Sequence, residues 1–408
     1  MGAPADGLAP VTAGARRVAR LLALNRNTAA AAGAMSLMAL GEQLWRRFLP
    51  KYLEALGAPV VAIGLYGSTS DLLDGVYQYP GGWLSDRLGR RRALLLFVAA
   101  AALGYAVIAL AESWPVVLLG LGGAMAWSSM ASPSLFAVIG DALPRERRAL
   151  GFAVQSIMRR IPIAVAPTIG GLLIAAHGVI PGIRLGLGTA IVAATIAFAG
   201  LRVMRLAAPA PSAETDFREV WRTLPAPLRR LLLSDIFIRA CEGMVDVFLV
   251  LYALDVVGIG APRFGLLVAA QMTTAILCYL PISHLADRRR RKPFVIATFL
   301  AFAAFPFAVV SSHSFAGLLA AFVVGGLREL GEPARKALIV DLVRPEVRGR
   351  GIGLYYLIRS LAITPAATLG GLLWGLSPSL PFVLAGLLGL SGTAIFALTV
   401  EEKHAGRG

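Results

Sequence analysis

The sequence predicts an all-α membrane protein: the major share of it in twelve transmembrane helices, arranged as two pseudo-symmetric six-helix bundles. Three observations lead there. The 408-residue chain is 57% hydrophobic and 15% charged, against about 25% charge in a soluble domain. Apolar stretches of membrane-crossing length, roughly 20 residues, recur throughout, as at 93–111, 116–139, 185–201, 294–310 and 381–400. The polar positions also repeat at an offset of 200 residues. Glu42 is matched by Glu242, Asp71 by Gln271 and Arg159 by Arg359. The run Asp141, Glu146, Arg148, Gly151, Thr168, Gly170, Gly171 recurs as Asp341, Glu346, Arg348, Gly351, Thr368, Gly370, Gly371. Acids, arginines and paired glycines rarely keep one register by chance, so two related halves are expected, with a site between them near mid-membrane.

In order along the chain, residues 1–28 form a cytoplasmic tail that lacks the short apolar core of a signal peptide. Residues 29–204 form the first bundle, with spans near 29–50, 60–84, 93–111, 116–140, 150–176 and 185–204. Residues 205–230 are a cytoplasmic linker. Within it Phe217, Val220, Trp221 and Leu224 share a helical face, which reads as a short amphipathic helix on the membrane surface. Residues 231–400 form the second bundle, with spans near 231–254, 264–286, 293–311, 316–340, 351–375 and 381–400, followed by a tail at 401–408.

The net charge of +16 comes mostly from arginines in short loops between apolar spans. Lys and Arg stay on the cytoplasmic side of a membrane. The loops holding Arg87, Arg90, Arg91 and Arg92, then Arg145, Arg147 and Arg148, then Arg288 to Lys292, share that side with both termini. This accounts for the basic balance without nucleic acid as a partner. Cys241 and Cys278 fall inside expected spans and read as small buried residues rather than a disulfide or metal pair. No cofactor, metal or enzymatic constellation is expected: there is no His-Glu-x-x-His, Gly-x-Ser-x-Gly or P-loop pattern. A passive channel suits a two-fold repeat with mid-span charges less well than a carrier does. The expected partners are a small-molecule substrate, protons and the lipid bilayer, with the chain acting as a monomer.

Charges inside spans are functional candidates, because each costs roughly 2.5–3.5 kcal/mol to insert at mid-membrane. Asp235, Arg239, Glu242 and Asp246 follow i, i+4, i+7, i+11 and form one stripe on span seven. Arg239 can pair with Asp235 or Glu242, leaving the other acids free for a cation or proton. Span ten carries Arg328, Glu329, Glu332, Arg335 and Lys336 around Pro333, which can kink or break the helix. Arg335 and Lys336 are placed near the cytoplasmic end, within reach of its headgroups. Span one offers Glu42 and Arg46 on one face, with Arg47 and Lys51 nearer the outer surface. Span two offers Asp71, Asp74 and Gln78; span five Arg159 and Arg160; span eleven Arg359 beside Tyr355 and Tyr356. Each charge has an alternative role as an internal salt bridge. The four histidines fall in loops or tails, which argues against a histidine proton relay.

Between spans two and three the chain reads Gly82-Trp83-Leu84-Ser85-Asp86-Arg87-Leu88-Gly89-Arg90-Arg91-Arg92. This resembles the signature loop of the major facilitator superfamily. The counterpart, ending Ala286-Asp287-Arg288-Arg289-Arg290-Arg291-Lys292, keeps Asp-Arg and the basic run without the glycines. The resemblance implies a cytoplasmic gate built from Gly82, Asp86, Arg87, Gly89, Arg90, Asp287 and Arg288, with Asp86 against the start of span eleven near 350–353. It also implies that spans one, four, seven and ten line the cavity, beside two, five, eight and eleven. Ala166-Pro167-Thr168-Ile169-Gly170-Gly171 is similar to the Gly-Pro-x-x-Gly-Gly signature of facilitator antiporters; small residues there also simply let helices pack closely.

The expected function is secondary active transport in a bacterial-type inner membrane by rocking of the two halves. Glu42, Asp71, Asp74, Glu242 and Asp246 are the candidate proton carriers. A carboxylate in a cavity that switches sides can load a proton on one face and release it on the other. Arg239, Arg328, Glu329, Glu332, Arg159, Arg359, Tyr66, Tyr77 and Tyr355 are the candidate substrate contacts. Acids dominate spans two and seven, which favours export of an amphipathic or cationic solute. Uptake of an organic anion on Arg159, Arg328 and Arg359 and lipid flipping are the alternatives.

Overall fold

The computed structural model describes residues 26–131, 135, 148–204, 225–288, 292–343 and 348–400, although nothing is said of the side chains at 26–28, 148–159, 279–288, 333, 337 and 348–350. Every regular element among these residues is helical. Counting interrupted runs as single columns, α1 is Arg26–Trp45, continued through a 3-10 turn, Arg46–Phe48, into Leu49–Ala55. Next come α2 (Val60–Leu88), α3 (Arg90–Leu110) and α4 (Trp114–Met125), the last running into a π turn at Ala126–Met130. Then follow α5 (Arg148–His177) and α6 (Val179–Arg202). After the linker, α7 (Ala226–Asp246) continues as Leu249–Leu251 and a π turn, Tyr252–Val256. Further on lie α8 (Ala261–Arg288) and α9 (Lys292–Val310). α10 is split into Phe315–Gly326, the 3-10 turn Leu327–Glu329 and Glu332–Leu342. α11 is split into Arg348–Ile363 and Pro365–Leu376, and α12 is Leu380–Thr399.

Seven helices among the described residues are long and apolar enough to cross a membrane by length and hydropathy alone, in α3, α5, α6, α8, α9, α11 and α12. The remaining columns fall short for a physical reason. α4 and α10 are interrupted by π or 3-10 turns, α7 carries Asp235, Arg239, Glu242 and Asp246, and α2 carries Asp71 and Asp74 in its middle. Those are the columns expected to line a polar cleft rather than lipid, and π turns cluster at functional sites. In α10 the break precedes the proline. Pro333 sits in the first turn of the restarted helix, where a missing N–H is harmless. The amide freed by the break, on Gly331, donates to Thr298 Oγ1 on α9 at 2.5 Å.

α1 packs on α5 and α6, and α3 on α4 and α6. In the second part α7 packs on α12 and α11, α9 on α12, and α10 on α8 and α9. Two seams join the parts, α5 with α8 and α2 with α11. The repeated glycines explain the seams. A Cβ at Gly171 would lie 2.8 Å from Pro262 Cα at the start of α8, and one at Gly371 would lie 3.1 Å from Val61 Cα at the start of α2. Gly265 meets Pro167 O at 2.6 Å in the same sense, and Gly64 meets Ala367 O at 2.5 Å and Thr368 Cα at 2.9 Å. Backbones this close exclude side chains, as small residues allow between membrane helices. Ser68 Oγ lies 2.7 Å from Thr368 Oγ1 and accepts from the Thr368 amide at 3.1 Å. All of these contacts sit towards the end of the bundle that holds Lys51. There the tight seams are tied further by the ion pairs Arg47–Asp246 and Lys51–Asp255.

Candidate functional site

Between α1, α2, α5 and α7 lies a cavity of about 300 Å³. Its walls include Gln43, Arg46 and Arg47 from α1, Tyr66, Ser70 and Asp71 from α2, Ile163 from α5, and Gly243 and Asp246 from α7. Two of the lining charges are neutralised. Arg46 donates to Glu42 one turn before it, and Arg47 Nη1 reaches both oxygens of Asp246 at 3.3 Å. Asp71 differs. It forms no hydrogen bond or ion pair with any described residue, and its Oδ2 points at α7, 3.1 Å from where a Gly243 Cβ would stand. Any larger residue at 243 would crowd that carboxylate. Asp74, one turn along α2, accepts from Ser129 Oγ on the π turn of α4 at 2.9 Å. Gln271, which repeats Asp71 in the second half, is buried on α8, its carbonyl 2.6 Å from a Cβ at Gly326.

The other membrane charges form a chain of ion pairs through α7, α10 and α11. Asp235 Oδ2 accepts from Arg335 Nη1 at 2.6 Å, from the Tyr355 hydroxyl at 3.0 Å and from Arg359 Nη1 at 3.4 Å. Arg335 also donates to Glu332 at 2.6 and 3.0 Å. Glu332 accepts from Arg239 at 3.2 Å, and Arg239 donates to Glu242 at 2.7 Å. Glu242 lies 3.5 Å from Arg328 Nη1, whose guanidinium stacks on Phe305 at 4.4 Å and reaches Phe302 at 5.2 Å. A further pair, Arg160 Nη2 to Glu329 Oε2 at 3.0 Å, links α5 to α10 across the two parts.

This geometry sorts the sequence candidates. Glu42, Glu242 and Asp246 each hold a cation, and Asp74 holds a hydroxyl. Arg239, Arg328, Glu332 and Arg359 are members of the buried chain, whereas Glu329 sits on the cross-link to α5. Arg335 differs from its expected place near the headgroups. Its side chain is 2% exposed, because Asp235 and Glu332 together draw the guanidinium inward; Lys336, 60% exposed, points out. Nor is Asp235 left free by an Arg239 partner, since α10 and α11 supply its donors instead. Tyr66 lines the cavity. Tyr77 is a packing group, its hydroxyl donating to Gly122 O on α4 at 3.0 Å, and Tyr355 orients Asp235. The Arg159 side chain lies outside the described residues.

At the opposite end, Gly89 has φ +81 and joins α2 to α3. That conformation favours glycine, as the signature loop requires. Arg87 lies over the Trp83 ring at 4.4 Å; Asp86 and Arg90 are partly buried beside them, and Gly82 has open space around it. The Asp287 and Arg288 side chains, the linker and the start of α11 near 350 fall outside the described side chains. Sequence reasoning missed Gln43, Ser70, Gly243 and the cavity role of Arg47. Only Gly243, a gap of one side chain in the charged stripe of α7, carried a signal.

The family model described as Major Facilitator Superfamily matches residues 31–241 and 231–408. An MFS-type transporter of Methanocaldococcus jannaschii is 23% identical over 364 residues, covering 84% of this chain and 87% of that protein. The class C tetracycline resistance protein of Escherichia coli is 26% identical over 147 residues, 36% of this chain and 37% of that one. Among solved structures, a POT family transporter in complex with a thioalcohol-conjugated peptide superposes with a TM-score of 0.77 at 14% identity, covering 92% of this chain and 97% of that chain. The chain belongs to the Major Facilitator Superfamily, and it is a transporter rather than an enzyme.

Proposed function

We propose that this transporter exchanges protons for a small cation-bearing solute, with Asp71 as the proton carrier. The observation that carries the reading is the lone carboxylate. Glu42, Glu242 and Asp246 are held by arginines, so protonating any of them breaks an ion pair, whereas Asp71 faces a cavity with no hydrogen-bond or ion-pair partner among the described residues. A half-buried acid in that position favours a cationic partner. The partial similarity to a tetracycline resistance protein supports export over uptake. In this reading residues 29–204 and 231–400 are two bundles that rock about the cavity, the linker 205–230 lies on the cytoplasmic face of an inner membrane with both termini, and the chain works as a monomer. The contacts at the Lys51 end close the outer face, and the signature loop, with Asp86 and Arg90, closes the cytoplasmic one.

The test is solute-induced pH change in vesicles carrying the full chain, with tetraphenylphosphonium, n-butylamine and 4-aminobutyrate as solutes. Asp71→Asn is expected to reduce solute-driven proton flux to that of protein-free vesicles. Glu42→Gln and Glu242→Gln should retain it in part. Full proton flux in Asp71→Asn would remove Asp71 from the coupling role.

A further inference from the structure

The cavity has a second chemical feature that proton exchange leaves unused. Arg46 and Arg47 are neighbours in sequence and both line it. A guanidinium offers five N–H donors. Arg46 directs Nη1 to Glu42, and Arg47 directs Nη1 to Asp246; no other acceptor among the described residues engages either side chain. The same small space therefore holds two guanidiniums with most of their donors open and one carboxylate that no described residue pairs or hydrogen-bonds. Its volume of about 300 Å³ is at the lower end for ligand pockets, about 300–1,000 Å³, so one compact molecule must meet all three groups. A purely cationic solute would sit against the open guanidinium edges. A purely anionic one would sit against Asp71.

We infer that the transported solute is a compact zwitterion, its carboxylate held by Arg46 and Arg47 and its ammonium by Asp71. This rests on the proton-exchange reading only at Asp71, where ammonium and proton compete for one carboxylate; the arginine half stands apart from it. An amphipathic solute is expected to fit less well, since the polar groups converge on a space of about 300 Å³ with little room for an apolar body.

The experiment is thermal stabilisation of the detergent-solubilised full chain by α,ω-amino acids from glycine to 6-aminohexanoate. Each is compared with the monoamine and the monocarboxylate of the same length. At the length that spans the cavity, the amino acid should stabilise at about tenfold lower concentration than either matched control, the scale of one added charged hydrogen-bonded contact. Arg47→Gln should abolish that advantage. Asp255→Asn, which cuts the neighbouring Lys51 tie outside the cavity, should keep it. Arg47→Lys, which preserves charge and loses the forked donors, should weaken it and covers the case in which the glutamine variant does not fold. The inference is overturned if a matched amine stabilises as well as the amino acid at every length, if no amino acid stabilises, or if Asp255→Asn loses the advantage as Arg47→Gln does. Retained proton flux in Asp71→Asn would overturn the exchange reading alone, since stabilisation is measured without a pH gradient.

Discussion

Asp235→Ala is expected to destabilise the protein by about 3–5 kcal/mol, the cost of stranding a buried partner charge. Asp235 is fully buried and gathers donors from two other columns, Arg335 of α10 and both Tyr355 and Arg359 of α11. Removing its carboxylate leaves Arg335 with Glu332 alone and Arg359 with no acid among those described. The second part of the molecule then loses the node that fastens α7 to α10 and α11. Glu329→Gln serves as the comparison. Its side chain is 35% exposed, and such pairs contribute about 0–1 kcal/mol. Unfolding in mixed detergent micelles, followed by circular dichroism, gives both values. Equal losses in the two variants would show that burial of the Asp235 node contributes nothing special.

Gly64→Leu is expected to hold the transporter away from the conformation described here. Gly64 lies on the α2–α11 seam against the Ala367 carbonyl and the Thr368 Cα, backbone atoms that cannot swing aside. Overpacking a tight contact costs about 1–3 kcal/mol. A bias of that size shifts a two-state equilibrium about 5–150-fold. Because the seam is one that must open and close if the two parts rock, most of the energy falls on the closed form rather than on folding. Spin labels on α2 and α11 near the Lys51 end should report a wider separation by pulsed electron resonance, with the thermal midpoint moving less than in Asp235→Ala. An unchanged distance distribution would show that the seam does not move.

Much of the architecture was legible because membrane burial imposes strong rules. Apolar length set most helix positions to within a few residues, the offset of 200 picked out Gly171 and Gly371, which the fold places on the seams, and Gly89 announced its turn. The interruptions were harder to read. Nothing in Arg46–Phe48 or Tyr252–Val256 marks a 3-10 or π turn, since such turns answer to packing between columns. The α11 break at Thr364 is signalled only by Pro365, a residue that elsewhere, as at Pro162 and Pro167, sits within a continuous α5. The site was half legible. A stripe pattern shows which charges share a face, and the α7 stripe is real. It cannot show which partner each charge meets, because partners come from other columns at sequence separations of 86 to 199 residues. Hence the Glu42–Arg46 pair, one turn apart on a shared face, was open to the sequence, whereas the pairing of Asp246 with Arg47 and the isolation of Asp71 came only from the fold.

Gln271 occupies the place in the second half that Asp71 holds in the first, and an amide does not titrate. If Asp71 is the one carboxyl that titrates during transport, each turnover carries one proton. If the solute crossing the other way has no net charge, every cycle displaces one elementary charge and the membrane potential becomes a driving force in its own right. At 100 mV that contributes about 2.3 kcal/mol, equivalent to a concentration ratio of roughly 50-fold at 1.4 kcal/mol per decade. Such a carrier would accumulate its solute on one side even with no pH difference at all, so long as the bilayer stayed polarised.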